Sequence, residues 1–151
     1  MIVLYDGDCG FCRWMVAWAL ERDRDGVLTV APIQSPAGER LLADLEPAER
    51  LRSVHVVHDD GRRTSGGAAA REVLEVTARP LARLAAFSPR VTDLVYRLVA
   101  GQRSRLSRLV PRRAKLRADR MLGAKPAPRF GTRAGSPRTG GGGPPRRGGS
   151  P

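Results

Sequence analysis

Residues 1–15 read MIVLYDGDCGFCRWM, and the change of character within this stretch decides how the rest of the chain is read. Ile2 to Tyr5 form a short apolar run of strand type. The run breaks into Asp6-Gly7-Asp8, and Cys9-Gly10-Phe11-Cys12 follows directly. Phe11, Trp14, Met15, Trp18 and Arg22 then recur at helical spacing, with Cys12, Val16 and Ala19 beside them. That stripe is wide enough to pack on a sheet. The only two cysteines of the chain therefore fall where a strand turns into the N-terminus of a helix. Unpaired N–H groups and the positive end of the helix dipole stabilise an anion there. For cysteine that anion is the thiolate, its reactive form. A second thiol three residues on lies about one helical turn away, near enough to close a small disulfide ring. Strand, C-x-x-C and helix together read as dithiol redox chemistry, for which no cofactor is expected.

Two simpler readings compete. Cysteines can be apolar fillers, but fillers have no need to flank a helix start beside two carboxylates. They can also be half of a zinc site, which needs two further ligands, and the chain offers only His55 and His58. Both lie in SVHVVH, which reads as a strand. Residues an odd number apart on a strand point to opposite faces, so the two imidazoles could not share one ion without a bulge.

The remaining chain alternates strand and helix signals. Residues 22–26 form a polar turn and 28–33 a second strand. Ser35-Pro36 is a hydroxyl cap followed by proline at the first helical position, opening a helix to about residue 45. Residues 54–58 give a third strand, Asp59-Asp60-Gly61 a tight turn, and 62–65 a short fourth strand. Helices are expected over 68–76, 80–87 and 89–110. The last is amphipathic with a basic face, and its Val91, Leu94, Val95, Leu98, Val99, Leu106 and Leu109 are expected to cover the domain.

These features resemble the DCC-type thiol–disulfide oxidoreductases, named for an Asp and two Cys in a D-x-x-C-x-x-C pattern. Asp6, Cys9 and Cys12 fit it, and YDGDCGFCRW, VAPIQS, SVHVVHDDGRRTSGGAAAREVL and VYRLVAGQRSRLSRL look like the family's blocks. The resemblance spans roughly residues 1–110, about one small domain. It implies an α/β fold, a thioredoxin-like three-layer domain with extra C-terminal helices, and the order β-α-β-α-β-β-α agrees. It also implies exchange of disulfides with a protein or small-molecule thiol or disulfide. Cys9, at the lip of the helix, is expected to be the nucleophile. Cys12 would resolve the mixed disulfide, and Asp6 would take the Cys12 proton. Asp8 is expected to cap the helix by accepting from the N–H of Phe11. Thioredoxin-like folds usually place a cis-proline opposite the cysteines, and alignment puts His55 there. His55 either sits beside the thiols and exchanges a proton with them, or is a strand histidine with an ordinary partner.

Asp6-Gly7-Asp8 after an apolar strand also resembles the D-x-D opening of haloacid-dehalogenase-type phosphatases. There the two acids act beside magnesium, and Asp59-Asp60 would stand for the later metal-binding acids. Gly10 departs from that motif, and both cysteines go unexplained.

Charge divides the chain. Residues 1–102 carry 13 Lys/Arg against 14 Asp/Glu, whereas residues 103–151 carry 14 Lys/Arg against Asp119 alone. The net charge of +12 thus belongs to the C-terminal third. Residues 1–110 are expected to form the domain, 111–123 a basic helix extension, and 124–151 a disordered Gly/Pro/Arg-rich tail. A non-catalytic role for that tail, weak sequence-blind contact with polyanions, is the third function class. No run approaches the ~20 apolar residues of a membrane span. Met1 leads straight into the strand, unlike a signal peptide. A cytoplasmic protein is expected, and in that reducing compartment C-x-x-C is catalytic more often than structural.

Overall fold

The computed structural model describes residues 1–79 and 89–124. The expected helix over 80–87 and all but the first residue of the expected tail lie outside them. The elements are β1 (Ile2–Tyr5), α1 (Gly10–Arg22), β2 (Thr29–Pro32), α2 (Pro36–Leu41), α3 (Pro47–Arg50), β3 (His55–Val57), β4 (Arg63–Ser65), α4 (Gly66–Thr77), α5 (Pro89–Gly101), α6 (Arg103–Leu109) and α7 (Arg112–Ala124). The strands form one mixed sheet in the order β2-β1-β3-β4. β1 runs parallel to β2 and antiparallel to β3, and β3 pairs antiparallel with β4. This is the α/β, thioredoxin-like arrangement expected from the sequence.

The strand period of two divides the core. Val3, Tyr5 and Val56 face α1 and α4, while Leu4, Ala31 and Val57 face α2. Three layers result, α1 and α4 on one side and α2 on the other. α2 begins as the sequence indicates: Ser35 Oγ accepts from the Gly38 N–H at 3.2 Å, with Pro36 in the first turn. Gly38 lets this helix lie against the end of β2, since a Cβ there would run into the carbonyl oxygens of Pro32 and Ile33. Arg63 on β4 ties the edge strand to the end of that layer through a forked pair with Asp44, both contacts 2.6 Å.

Several expectations are corrected. The stripe that α1 buries is Val16, Ala19 and Leu20, with Ala17, rather than Phe11, Trp14, Met15 and Trp18. Phe11, Trp14 and Trp18 are half-buried and Met15 is exposed, because α7 and the sheet take the face with the smaller side chains. Phe11 and Trp14 rings lie 5.9 Å apart, and the Arg22 guanidinium covers Trp18 at 4.2 Å. The four-residue α3, opened by Pro47, was not expected. The single helix over 89–110 is two, broken at Gly101-Gln102.

Val91, Leu94, Val95 and Leu98 do not cover the domain: each is more than half exposed. Of the expected stripe on α5 only Val99 turns inward, joined by Tyr96 and Ala100. The covering role passes to α7, the basic extension. Ala118 is buried, Met121 and Leu122 pack on the core beside α1, and two ion pairs flank the contact, Arg13–Asp119 at 2.6 Å and Arg117–Glu21 at 2.9 Å. Among the described residues no helix is long and apolar enough to cross a membrane.

Candidate active site

β1 ends at Tyr5, and the chain turns sharply before α1, with the Cys9 N–H donating to the Asp6 carbonyl at 3.3 Å. α1 starts at Gly10, so Cys9 itself is the cap, with extended backbone (φ −86°, ψ 107°). Its Sγ accepts from the Cys12 N–H at 3.2 Å. The sulfur occupies the place that a Ser or Asp side chain takes at other helix starts, where free N–H groups and the dipole favour negative charge. This corrects the expected cap: Asp8 is exposed, one residue too early to reach the first turn.

The two thiols are both half-buried and free of a disulfide. Exposure therefore does not distinguish them, but surroundings do. Burial pushes the Cys12 thiol well above the ordinary thiol range. Its hydrogen bond with the Cys9 side chain adds to this, as do the charges of Cys9 and Asp6, while Arg103 opposes. Cys12 thus carries its proton at neutral pH.

Asp6 is brought to the cysteines as the sequence suggests. Its carboxylate is 15% exposed, and one oxygen accepts from the Asp8 N–H at 3.0 Å and from Gln34 Nε2 at 2.9 Å. Its other oxygen lies 4.0 Å from Arg103 Nη1. Gln34 also donates to Asp8 at 3.3 Å and accepts from the Gly7 N–H at 3.0 Å. One amide side chain just past β2 therefore fixes the whole Asp6-Gly7-Asp8 turn. Sequence reasoning missed Gln34, although it stands in the VAPIQS block that carried part of the resemblance. It also missed the cover from the C-terminal helices. A Cβ on Gly10 would lie 2.8 Å from Ser107 Oγ and 3.3 Å from Lys115 Cε, so α6 and α7 rest on Gly10, the first of the two residues between the cysteines. Arg103 on α6 donates to the Leu51 carbonyl at 2.5 Å, and Tyr96 on α5 accepts from the Val54 N–H at 2.9 Å, joining α5 and α6 to the segment before β3.

His55 is not beside the thiols. It lies on the α2 side of β3, 2% exposed, with Nε2 2.9 Å from the Arg50 carbonyl and Nδ1 2.7 Å from Ser65 Oγ. A carbonyl only accepts, so Nε2 carries the hydrogen and Nδ1 accepts from the serine hydroxyl. Burial lowers the His55 pKa and keeps the ring neutral. It is the strand histidine with ordinary partners. His58 turns the other way and meets Glu72 on α4 at 2.7 Å, so the two imidazoles diverge as strand geometry requires. The phosphatase constellation does not assemble either. β3 runs antiparallel to β1, with Leu4 opposite His55 and Ile2 opposite Val57. Asp59 and Asp60 consequently lie at the end of the sheet away from Asp6 and Asp8.

Cys12 and Asp6 border one cavity between α1, the sheet, α4 and α5, open to solvent on one side, with a volume of about 220 Å³. A mixed sheet that delivers a dithiol to the first turn of a helix defines the chain as a thioredoxin-like dithiol domain. Comparison with known sequences agrees: the DCC1-like thiol-disulfide oxidoreductase profile matches residues 3–109. The chain belongs to that family. It is also similar to a protein of Bacillus subtilis (strain 168), "Uncharacterized protein YuxK", with 31% identity over 106 residues, 68% of this chain and 77% of that protein. No solved structure matches the chain.

Proposed function

We propose that the protein exchanges disulfides with a protein or small-molecule thiol or disulfide, with Cys9 as nucleophile, Cys12 as resolving thiol and Asp6 as the acceptor of the Cys12 proton. The observation that carries this reading is the 3.2 Å contact from the Cys12 N–H to Cys9 Sγ, which puts one sulfur of the pair on the anion-favouring end of α1. Cys9 thiolate attacks a substrate disulfide, breaking its S–S bond and releasing one thiolate. Cys12 then attacks Cys9 Sγ and releases the second. The second step requires a proton to leave a thiol whose burial holds it high, which is where a carboxylate on the same cavity serves.

Cys12→Ser tests the division of labour. That variant should accumulate a stable mixed disulfide with a chromogenic or protein disulfide, detected by intact mass, while Cys9→Ser should form none. A mixed disulfide trapped on Cys12 in the Cys9→Ser protein, and none on Cys9, would reverse the roles.

A further inference from the structure

The cavity beside Cys12 is larger than two thiols require. Tyr5, Trp18, Val54, Val73 and Val99 stand on its wall, and the wall is almost wholly carbon. An apolar cavity of about 150 Å³ stays dry and takes up benzene. This space is about half as large again and open to solvent on one side, but its lining offers water few hydrogen-bond partners and suits an apolar group. Arg52 and Met15, both exposed, mark where it reaches solvent.

We propose that this cavity receives the apolar group of the substrate, a benzyl-sized ring or branched alkyl group carried next to the reacting sulfur. This names a substrate class for the site above and rests on the exchange reading. Cys9 itself is not on the wall, but it stands one helical turn from Cys12, which is, so a ring or branched group a few ångströms beyond the substrate sulfur is within reach of the cavity. An apolar substituent leaves water there. A hydroxylated one finds few partners beyond Asp6, Ser53 and Arg103, so it loses its hydration without replacement. With pre-reduced protein the reaction is balanced without a further reagent. The dithiol gives two electrons to R–S–S–R and becomes the Cys9–Cys12 disulfide, and its two protons end on two molecules of RSH.

The test is single-turnover oxidation of the pre-reduced full-length chain by dibenzyl disulfide and by bis(2-hydroxyethyl) disulfide. Each rate is divided by that of free dithiothreitol with the same reagent, which removes intrinsic reactivity. The corrected ratio should favour the benzyl compound about tenfold or more. Ala70→Leu and Ala100→Leu, which fill the cavity from α4 and from α5, should each bring it toward unity, and either variant suffices if the other does not fold. Equal corrected rates in the unaltered protein, or a ratio untouched by filling, overturn the proposal. Toluene supplies a readout independent of exchange: it should raise the melting temperature of the reduced protein and not of the filled variants. If neither disulfide oxidises the protein, the exchange reading fails and the substrate assignment falls with it. A toluene shift would then still identify an apolar binding site, and its absence would remove that too.

Discussion

On the side of the sheet that faces α2, Leu4 and Leu42 are wholly buried and His55 has both ring nitrogens bonded. On the side that faces α1, the same strands present Val3, Tyr5 and Val56, yet packing stops short and leaves the cavity beside Cys12. The strands alternate between the two faces at every residue, so the difference comes from what is laid on them. α2 is short, starts on a proline and approaches closely at Gly38. α1 meets the sheet with Val16, Ala19 and Leu20 while its reactive end is roofed by α5, α6 and α7. One face is built to hold the fold, and the other keeps a reactive sulfur next to unfilled space.

The contrast can be broken first by truncation. Leu42→Ala on the closed face should cost about 2–5 kcal/mol, because the lost contacts leave a hole in dense packing. Leu74→Ala on the cavity wall should cost less than half as much, since that side chain already borders space. Urea denaturation of the two variants measures both. Equal losses would mean that the cavity closes in solution.

Asp6→Asn should slow resolution of the mixed disulfide about tenfold or more, and its formation much less. Rapid-mixing single-turnover kinetics separate the steps. Resolution at the unaltered rate would make Asp6 a holder of the turn, together with Gln34, rather than a proton acceptor.

How much of this could be read beforehand follows from the range of the interactions. β1, the start of α2 and the hairpin between β3 and β4 rest on neighbours in sequence: an apolar run, Ser35-Pro36 and Asp59-Asp60-Gly61. So does the C-x-x-C at a helix start, and these were legible. The cap was mistaken because a sulfur and a carboxylate compete for the same N–H groups, and a shift of one residue in the helix start decides between them. Gln34, Tyr96 and Arg103 reach the site from elements 22 or more positions beyond Cys12, and no local pattern announces such contacts. The inward face of α5 was misread for a related reason. Val91, Leu94, Val95 and Leu98 make the cleaner apolar stripe, but of the expected set on α5 only Val99 borders the cavity, beside Tyr96 and Ala100.

A subtler difference between the faces concerns pH. Unfolded His55 titrates near its ordinary value of about 6.5, and burial holds the folded value lower. Below about pH 6.5 the unfolded chain therefore binds the proton more readily, and stability falls as pH falls. Above that value His55 contributes no slope. His55→Gln should flatten this acid limb of the melting temperature while leaving dithiol exchange in place. An unchanged limb would assign it to other groups.

The smallest effect is expected at the C-terminus. We propose that the fold and the exchange do not need the Gly/Pro/Arg-rich residues that follow α7, so a chain ending at Ala124 should melt within a degree or two of the full length and exchange disulfides equally fast. Any retention on heparin should weaken on its removal and in high salt. A chain ending at Val110 should melt far lower, because it loses Ala118, Met121 and Leu122 from the α1 face. If both cuts cost alike, the boundary lies elsewhere.

The most direct measurement is brief iodoacetamide labelling of the reduced protein near neutral pH, followed by peptide mapping of the two cysteines. Cys9, on the helix cap, should be alkylated well ahead of Cys12, whose thiol is held protonated by burial and by its neighbours. Equal labelling, or faster labelling of Cys12, would contradict the assignment of nucleophile and resolving thiol.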